Sequence, residues 1–87
     1  MAGKLSFSLV SPEREVFSGL VDQVDAPGVE GDFGVLEGHA PLMSTGRDGD
    51  IAIYKAQNAT PETIRVEGGF AEVNGVGLVV LAERVGD

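Results

Sequence analysis

The chain has 87 residues, enough for one small domain with a single hydrophobic core, and its 43% hydrophobic content excludes a disordered chain. Six Lys and Arg residues stand against 14 Asp and Glu residues, so the formal net charge of −8 argues against nucleic acid or an anionic membrane surface as a partner. Without cysteine there is no disulfide framework and no thiolate metal site, and no apolar run approaches the roughly 18 residues of a membrane span.

The first predicted element is a half-buried strand. Leu5, Phe7 and Leu9 alternate with two serines, and this period of two is typical of a strand with one face on a core. Ser11-Pro12-Glu13 ends the pattern, because proline donates no amide to a neighbouring strand.

A second extended run leads from Arg14 to Ala26. The pair Ser18-Gly19 predicts a β-bulge within it. Beyond the bulge we expect one continuous strand, in which Leu20, Val24 and Ala26 share a face because side chains alternate along a strand.

The next stretch, residues 26–43, contains four glycines, two prolines, three carboxylates and the only histidine. This punctuation predicts a turn at Pro27-Gly28 and an acidic tip at Glu30-Gly31-Asp32, which together form an acidic loop at residues 27–32. A short strand from Phe33 to Leu36 and a second turn at residues 37–41 follow. Punctuated loops of this kind are often held out by a rigid scaffold and carry function.

The rest of the chain consists of short strand patterns and turns. Gly68-Gly69 indicates a sharp change of direction or a close backbone approach, and Asn74-Gly75 predicts a hairpin. No apolar residues recur at helical spacing over ten positions, so the pattern predicts an all-β sandwich or barrel without linker or repeat. The predicted strands of this part are 42–45, 51–54, 64–67, 70–73 and 76–83.

The last of these strands is apolar on both faces. Val79 and Leu81 lie on one face, and the opposite face carries Val76, Leu78, Val80 and Ala82. In a two-sheet sandwich only one of the two faces meets the core. The other face is therefore covered either by the chain itself or by a partner.

The sequence offers no convincing catalytic or metal site. His39 has the Ser44 hydroxyl nearby in sequence, but no nucleophile-elbow motif accompanies it, so a turn or partner contact is favoured over catalysis. Glu30, Asp32 and Glu37 lack the spacing of a calcium loop, and the glycines among them match neither a dinucleotide fingerprint nor a P-loop. We therefore expect no cofactor, no metal and no enzyme activity.

Five segments, in order along nearly the whole chain, carry a resemblance to a known family. They are Phe17-Ser18-Gly19-Leu20-Val21, Glu30-Gly31-Asp32-Phe33-Gly34-Val35, Gly38-His39-Ala40-Pro41-Leu42, Glu67-Gly68-Gly69-Phe70-Ala71-Glu72-Val73 and Val79-Val80-Leu81-Ala82. Together they resemble the epsilon subunit of bacterial F-type ATP synthase, whose mitochondrial counterpart is called delta. Two motifs among these segments, Gly-His-Ala-Pro-Leu and Gly-Gly-Phe-Ala-Glu-Val, are distinctive together.

The resemblance implies a fold and a role. Residues 1–87 would form a two-sheet β-sandwich of about ten short strands, without the C-terminal helical hairpin of typical members. The role implied is that of a non-catalytic rotor subunit that binds gamma and is seated on the c ring, so that proton-driven rotation is coupled to ATP synthesis. The implied place is peripheral, at the cytoplasmic face of the bacterial plasma membrane, without membrane insertion.

The resemblance also suggests contact residues. Glu30, Gly31, Asp32 and Phe33 match the family loop that meets the c ring. Ser11 matches a position near gamma, and His39 and Ser44 match positions in the family segment near gamma and the ring. The second apolar face of the last strand adds Val79 and Leu81 as gamma contacts. The alternative is a free-standing β-sandwich binding or adaptor module, which would need an aromatic platform for its ligand.

Overall fold

The computed structural model describes residues 4–29, 31–56 and 60–86, and all regular structure in these residues is β-strand. Segments rich in β-branched and aromatic residues form the strands, and glycines, prolines and acidic residues separate them. The strands in chain order are β1 (Leu5–Val10), β2 (Glu15–Val21), β3 (Gln23–Ala26), β4 (Phe33–Leu36), β5 (Leu42–Thr45), β6 (Gly49–Tyr54), β7 (Glu62–Glu67), β8 (Phe70–Val73), β9 (Gly77–Leu81) and β10 (Arg84–Val85).

The ten strands form two five-stranded sheets. The first sheet has the order β2-β1-β9-β8-β5, and the second has the order β10-β7-β6-β3-β4. β1 and β9 pair in parallel, and all other neighbouring strands are antiparallel. The predicted all-β, two-sheet sandwich is confirmed.

The hydrophobic core lies between the two sheets, and each sheet contributes one face to it. Phe7 and Leu9 of β1 are fully buried on the first sheet, and Ile51 and Ile53 of β6 are fully buried on the second. Burial of a large apolar side chain stabilises the fold by about 1.5–3 kcal/mol. The alternation predicted for β1 and β6 is therefore confirmed. The other buried core side chains are Leu5, Val21, Val24, Val35, Val66, Ala71, Val73, Leu78, Val80 and Ala82.

The single strand predicted beyond the bulge is wrong, because the chain changes sheets at Asp22. β2 of the first sheet ends at Val21 and β3 of the second sheet begins at Gln23. Val21 lies opposite Leu5 and is buried, whereas Leu20 points outward and is 67% exposed. The crossing is fixed by the Asp22 amide, which donates to the Tyr54 carbonyl at 2.8 Å, and by the ion pair between the Asp22 carboxylate and Lys4.

The predicted bulge at Ser18-Gly19 is also wrong. Ser18 and Gly19 pair regularly with Ser8 and Phe7 of β1. The register shift falls instead between Leu9 and Val10, where Val16 is the extra residue of β2. The irregularity therefore lies at the turn end of this strand pair, where β2 follows the turn at residues 11–14.

The β8–β9 hairpin is confirmed, but its turn is longer than Asn74-Gly75 alone. The Asn74 amide donates to the Gly77 carbonyl at 2.9 Å, and the Asn74 side-chain oxygen accepts from the amides of Val76 and Gly77 at 2.8 and 3.2 Å. Val76 was predicted to begin the last strand, on the face of Leu78 and Val80, but it lies in this turn and is 82% exposed.

The close backbone approach predicted for Gly68-Gly69 is confirmed. Both residues have positive φ, 64° and 91°. A Cβ atom on Gly69 would lie 1.8 Å from the carbonyl oxygen of Leu81, so no larger residue fits without movement of β9. This corner joins β7 of the second sheet to β8 of the first sheet.

Candidate functional site

The outward side of the first sheet carries a cluster of apolar side chains. In the strand register Val10, Leu81 and Phe70 lie side by side on neighbouring strands, and Val79 is two residues from Leu81 on the same face. Met43 of β5 lies on this face too, opposite Glu72. Met43 is 65% exposed, Phe70 41% and Leu81 38%, while Val10 and Val79 are half-buried. We call these five residues the outer face.

The outer face continues into a groove of about 330 Å³ at one end of the sheet. Val10, Phe70 and Leu81 line it, together with Ser11, Pro12, Gly69, Ala82 and Glu83. Glu72 lies between Met43 and Val79 on the same face, so the continuous apolar part is the patch of Val10, Phe70 and Leu81. An exposed apolar patch is a candidate contact site for another molecule. The chain itself therefore leaves the face of β9 with Val79 and Leu81 only partly covered.

The acidic loop lies at the same end of the molecule and is fastened to β5. The Val29 amide donates to the Thr45 carbonyl at 3.1 Å, and the Gly31 amide donates to the Gly28 carbonyl at 3.0 Å. Gly31 has φ of 128°, a conformation that glycine adopts without strain, so the tip can turn sharply as predicted. The second bond closes the loop on itself.

Arg47 binds the acidic loop from the turn between β5 and β6. Its Nε donates to the Gly28 carbonyl at 3.1 Å, its backbone amide donates to the Pro27 carbonyl at 3.3 Å, and its Nη2 pairs with the Asp32 carboxylate. Arg47 was not among the residues predicted for the site. It stands out in the sequence as the only lysine or arginine between Arg14 and Lys55, after an acidic segment, but the sequence does not show which groups it binds.

The structure separates the residues predicted for the c-ring loop. Gly31 and Asp32 are exposed, whereas Phe33 is half-buried and packs against the core. The Phe33 ring also covers Gly28, at which a Cβ atom would lie 3.2 Å from the ring. Glu30 lies outside the described residues.

His39 holds its own turn, as the sequence suggested. Its amide donates to the Leu36 carbonyl at 3.1 Å, and its Nδ1 lies 2.6 Å from the Ala40 carbonyl oxygen. The Ser44 hydroxyl donates to the Thr45 carbonyl at 3.4 Å. Among the residues that the structure describes, no hydrogen bond joins the His39 ring to the Ser44 hydroxyl.

The residues predicted near gamma do not form one cluster. Ser11 follows the last residue of β1 and adjoins the outer face, whereas His39 lines a depression with Lys4 and Val76 at the opposite end of that strand. A strand of six residues separates the two ends by roughly 20 Å. Ser44 is half-buried on β5, opposite the buried Ala71 and therefore on the inner side of the edge.

The described residues contain no group of three or more histidine, aspartate and glutamate side chains that could hold a metal ion. Residues 4–29, 31–56 and 60–86 also include no helix long and apolar enough to cross a membrane. Few aromatic side chains among the described residues are exposed enough to form the aromatic platform that the alternative binding module would need. Phe7 is buried, Phe17, Phe33 and Tyr54 are half-buried, and Phe70 is exposed.

The sequence matches the family model described as "ATP synthase, Delta/Epsilon chain, beta-sandwich domain" over residues 4–86. The chain belongs to this family. An ATP synthase epsilon chain of Caulobacter vibrioides is 56% identical over 81 residues, which cover 93% of this chain and 92% of that one. The epsilon chain of Parvibaculum lavamentivorans is 58% identical over 83 residues, which cover 95% of this chain. This chain spans 62% of the length of the Parvibaculum and Maricaulis maris relatives.

Solved structures share the fold. A chain of the Euglena gracilis mitochondrial ATP synthase assembly of OSCP, F1 and c ring has a TM-score of 0.87 at 18% identity, over 99% of this chain and 54% of that chain. A chain of the Tetrahymena thermophila central stalk and c-ring assembly has a TM-score of 0.78 at 16% identity, over 99% of this chain and 68% of that chain. Family membership assigns the domain to a non-catalytic subunit of the ATP synthase, as predicted.

Proposed function

We propose that this chain is a central-stalk subunit of an F-type proton-translocating ATP synthase, bound to gamma and seated on the c ring. It turns with gamma when protons drive the ring, and it carries no catalysis itself. Its family membership, the relatives named ATP synthase epsilon chain, and the fold shared with chains of stalk and c-ring assemblies support this role. Its place would be peripheral, at the cytoplasmic face of the bacterial plasma membrane.

The gamma subunit occupies the outer face in this proposal. The carrying observation is that Met43, Phe70 and Leu81 are exposed beside an apolar groove on one sheet of a small, strongly acidic domain. Covering these side chains removes apolar area from water and favours association. Ser11 adjoins the same groove.

Contacts from gamma to Ser11, His39 and Ser44 together require an elongated partner. Ser11 and His39 are about a strand length apart, roughly 20 Å, and β5 with Ser44 runs from one end towards the other. A long helical or extended segment of gamma along the first sheet and its β5 edge would reach all three. The acidic loop stays free at the groove end for the c ring.

The first test replaces Leu81 by aspartate. A carboxylate placed in a dry interface without a partner costs several kcal/mol, so L81D should weaken binding to the cognate gamma subunit by roughly 100-fold or more. Titration calorimetry with purified gamma measures the affinity. Circular dichroism and thermal unfolding check that the sandwich is intact.

Two further variants make the result decisive. M43D changes a more exposed residue of the outer face and should also weaken gamma binding. T63D is the control, because it adds the same charge at an exposed residue of β7 in the second sheet, away from the residues assigned to gamma. Folded L81D and M43D chains that bind gamma as tightly as T63D would contradict the assignment of gamma to this face.

A further inference from the structure

The turn between β5 and β6 grips the acidic loop at its root. Arg47 contacts three residues of the loop: the Gly28 carbonyl at 3.1 Å, the Pro27 carbonyl at 3.3 Å and the Asp32 carboxylate. The isolated bridge between Gly28 and Gly46 adds a backbone contact next to it. One side chain thus reaches both the base and the tip of the loop.

The contact at the base is the stronger part of this grip. Gly28 is buried, and its carbonyl oxygen accepts two hydrogen bonds, from Arg47 Nε and from the Gly31 amide. A carbonyl has two acceptor positions, so both are used. The ion pair between Arg47 and Asp32 is exposed on both sides and contributes little by itself.

The turn that carries Arg47 is itself anchored. The Asp48 carboxylate accepts from the Gly68 amide at 3.0 Å, and the Gly46 amide donates to the Gly69 carbonyl at 2.9 Å. The guanidinium therefore projects from a turn tied to the glycine corner beside the outer face. A chain of bonds runs from this corner to the tip of the loop.

We propose that Arg47 is the positioning residue of the acidic loop and holds it in the shape that docks on the c ring. This inference rests on the proposed function for its docking partner, but the clamp itself does not. Arg47 orders the loop before docking, so the ordering entropy is already lost when the partner arrives.

Removal of Arg47 separates positioning from simple charge attraction. If the loop binds basic groups only through its negative charge, R47A makes the loop more acidic and should strengthen attachment. If Arg47 positions the loop, R47A should weaken attachment although it improves the charge. The two interpretations predict opposite signs.

The clamp is tested first in the isolated chain by amide hydrogen exchange. In R47A the amides of Val29 and Gly31 should exchange roughly tenfold faster, as loss of one charge-assisted hydrogen bond predicts, while the amides of β6 keep their rates. R47K keeps the charge but loses the planar fork and should fall between R47A and the native chain. R65A is the matched control, because it removes the same charge from β7, away from the loop. Unchanged exchange in R47A would overturn the clamp whatever the chain binds.

Docking is tested with membranes that contain an ATP synthase depleted of this subunit. R47A should attach roughly tenfold less tightly than R65A, and R47K should recover part of the loss. Attachment of R47A that equals or exceeds that of R65A would overturn the positioning role. The neutral double variant E30Q/D32N tests the docking proposal separately. If it attaches as tightly as the native chain at both low and high salt, the c ring is not the partner of this loop. Normal hydrogen exchange in R47A, in contrast, would refute only the clamp.

Discussion

Gly69 is the residue at which the fold leaves least room. The Cβ atom of an alanine would lie 1.8 Å from the Leu81 carbonyl oxygen, and φ of 91° is a conformation that side chains with a Cβ rarely adopt. Because the opposing atom belongs to the backbone of β9, a rotamer change cannot relieve the contact. The edge of the groove next to Phe70 and Leu81 must move instead.

We therefore expect G69A to lower the free energy of unfolding by at least about 2 kcal/mol, since backbone strain and steric overlap act together. G75A is the matched control, because no atom lies within 4 Å of its added Cβ and its φ is ordinary. Urea unfolding of both variants gives the measurement. Equal midpoints for G69A and G75A would contradict the steric argument.

At the scale of the strand and turn, Asn74 organises the β8–β9 hairpin. Its side-chain oxygen accepts from two backbone amides, those of Val76 and Gly77. These bonds set where β9 begins. Its starting point in turn places Leu78 and Val80 inward and Val79 and Leu81 outward.

N74A should destabilise the sandwich by about 1–2 kcal/mol, as loss of a local cap to exposed amides predicts. N74D keeps the acceptor oxygen and should recover most of the loss. Thermal unfolding of the two variants measures the difference. An N74A chain as stable as N74D would show that the backbone bond from Asn74 to Gly77 is sufficient to hold the turn.

The strand bounds were predicted well where turn residues flank a short apolar run. β4, β5 and β8 begin and end where the sequence indicated, because Gly, Pro and Asp residues bracket each of them. The crossing at Asp22 was missed, since residues 20–26 alternate without a glycine or proline to signal a break. Its cause is tertiary, namely the bonds of Asp22 to Tyr54 and Lys4 from distant parts of the chain.

The candidate site was predictable in the same uneven way. Val79 and Leu81 stood out because two apolar faces on one strand exceed what one core can cover. Arg47 could not be assigned from spacing, because its carbonyl partners lie on the far side of β4 and β5 in sequence. Only the folded structure shows that the turn and the loop meet, through the Gly28–Gly46 bridge and the hydrogen bond from Arg47 to Gly28.

For the whole molecule, the parallel pairing of β1 with β9 governs how the chain folds. The two strands come from opposite ends of the sequence. Without their pairing, the first sheet would consist of two separate parts, β2-β1 and β9-β8-β5. The chain must therefore close a long loop, at a cost in conformational entropy, before the stabilising contacts between β1 and β9 can form. Most of the core cannot form by local pairing alone.

Refolding should accordingly take milliseconds to seconds, roughly the range of β-sandwiches with non-local pairing. Stopped-flow dilution from urea, followed by circular dichroism because the chain has no tryptophan, gives the rate. V80A, which removes buried volume from β9, should speed unfolding or slow refolding and thus show when β9 docks. Refolding complete within microseconds would contradict a folding step limited by this long closure.

The same pairing has a second consequence, because the groove exists only in molecules whose β1 and β9 are paired. The groove needs Val10 from β1 and Leu81 from β9, so neither half of the chain carries it alone. A chain in which β9 has not paired with β1, or one cut before β9, presents no complete groove. A partner that binds the groove would therefore select molecules whose first sheet is closed.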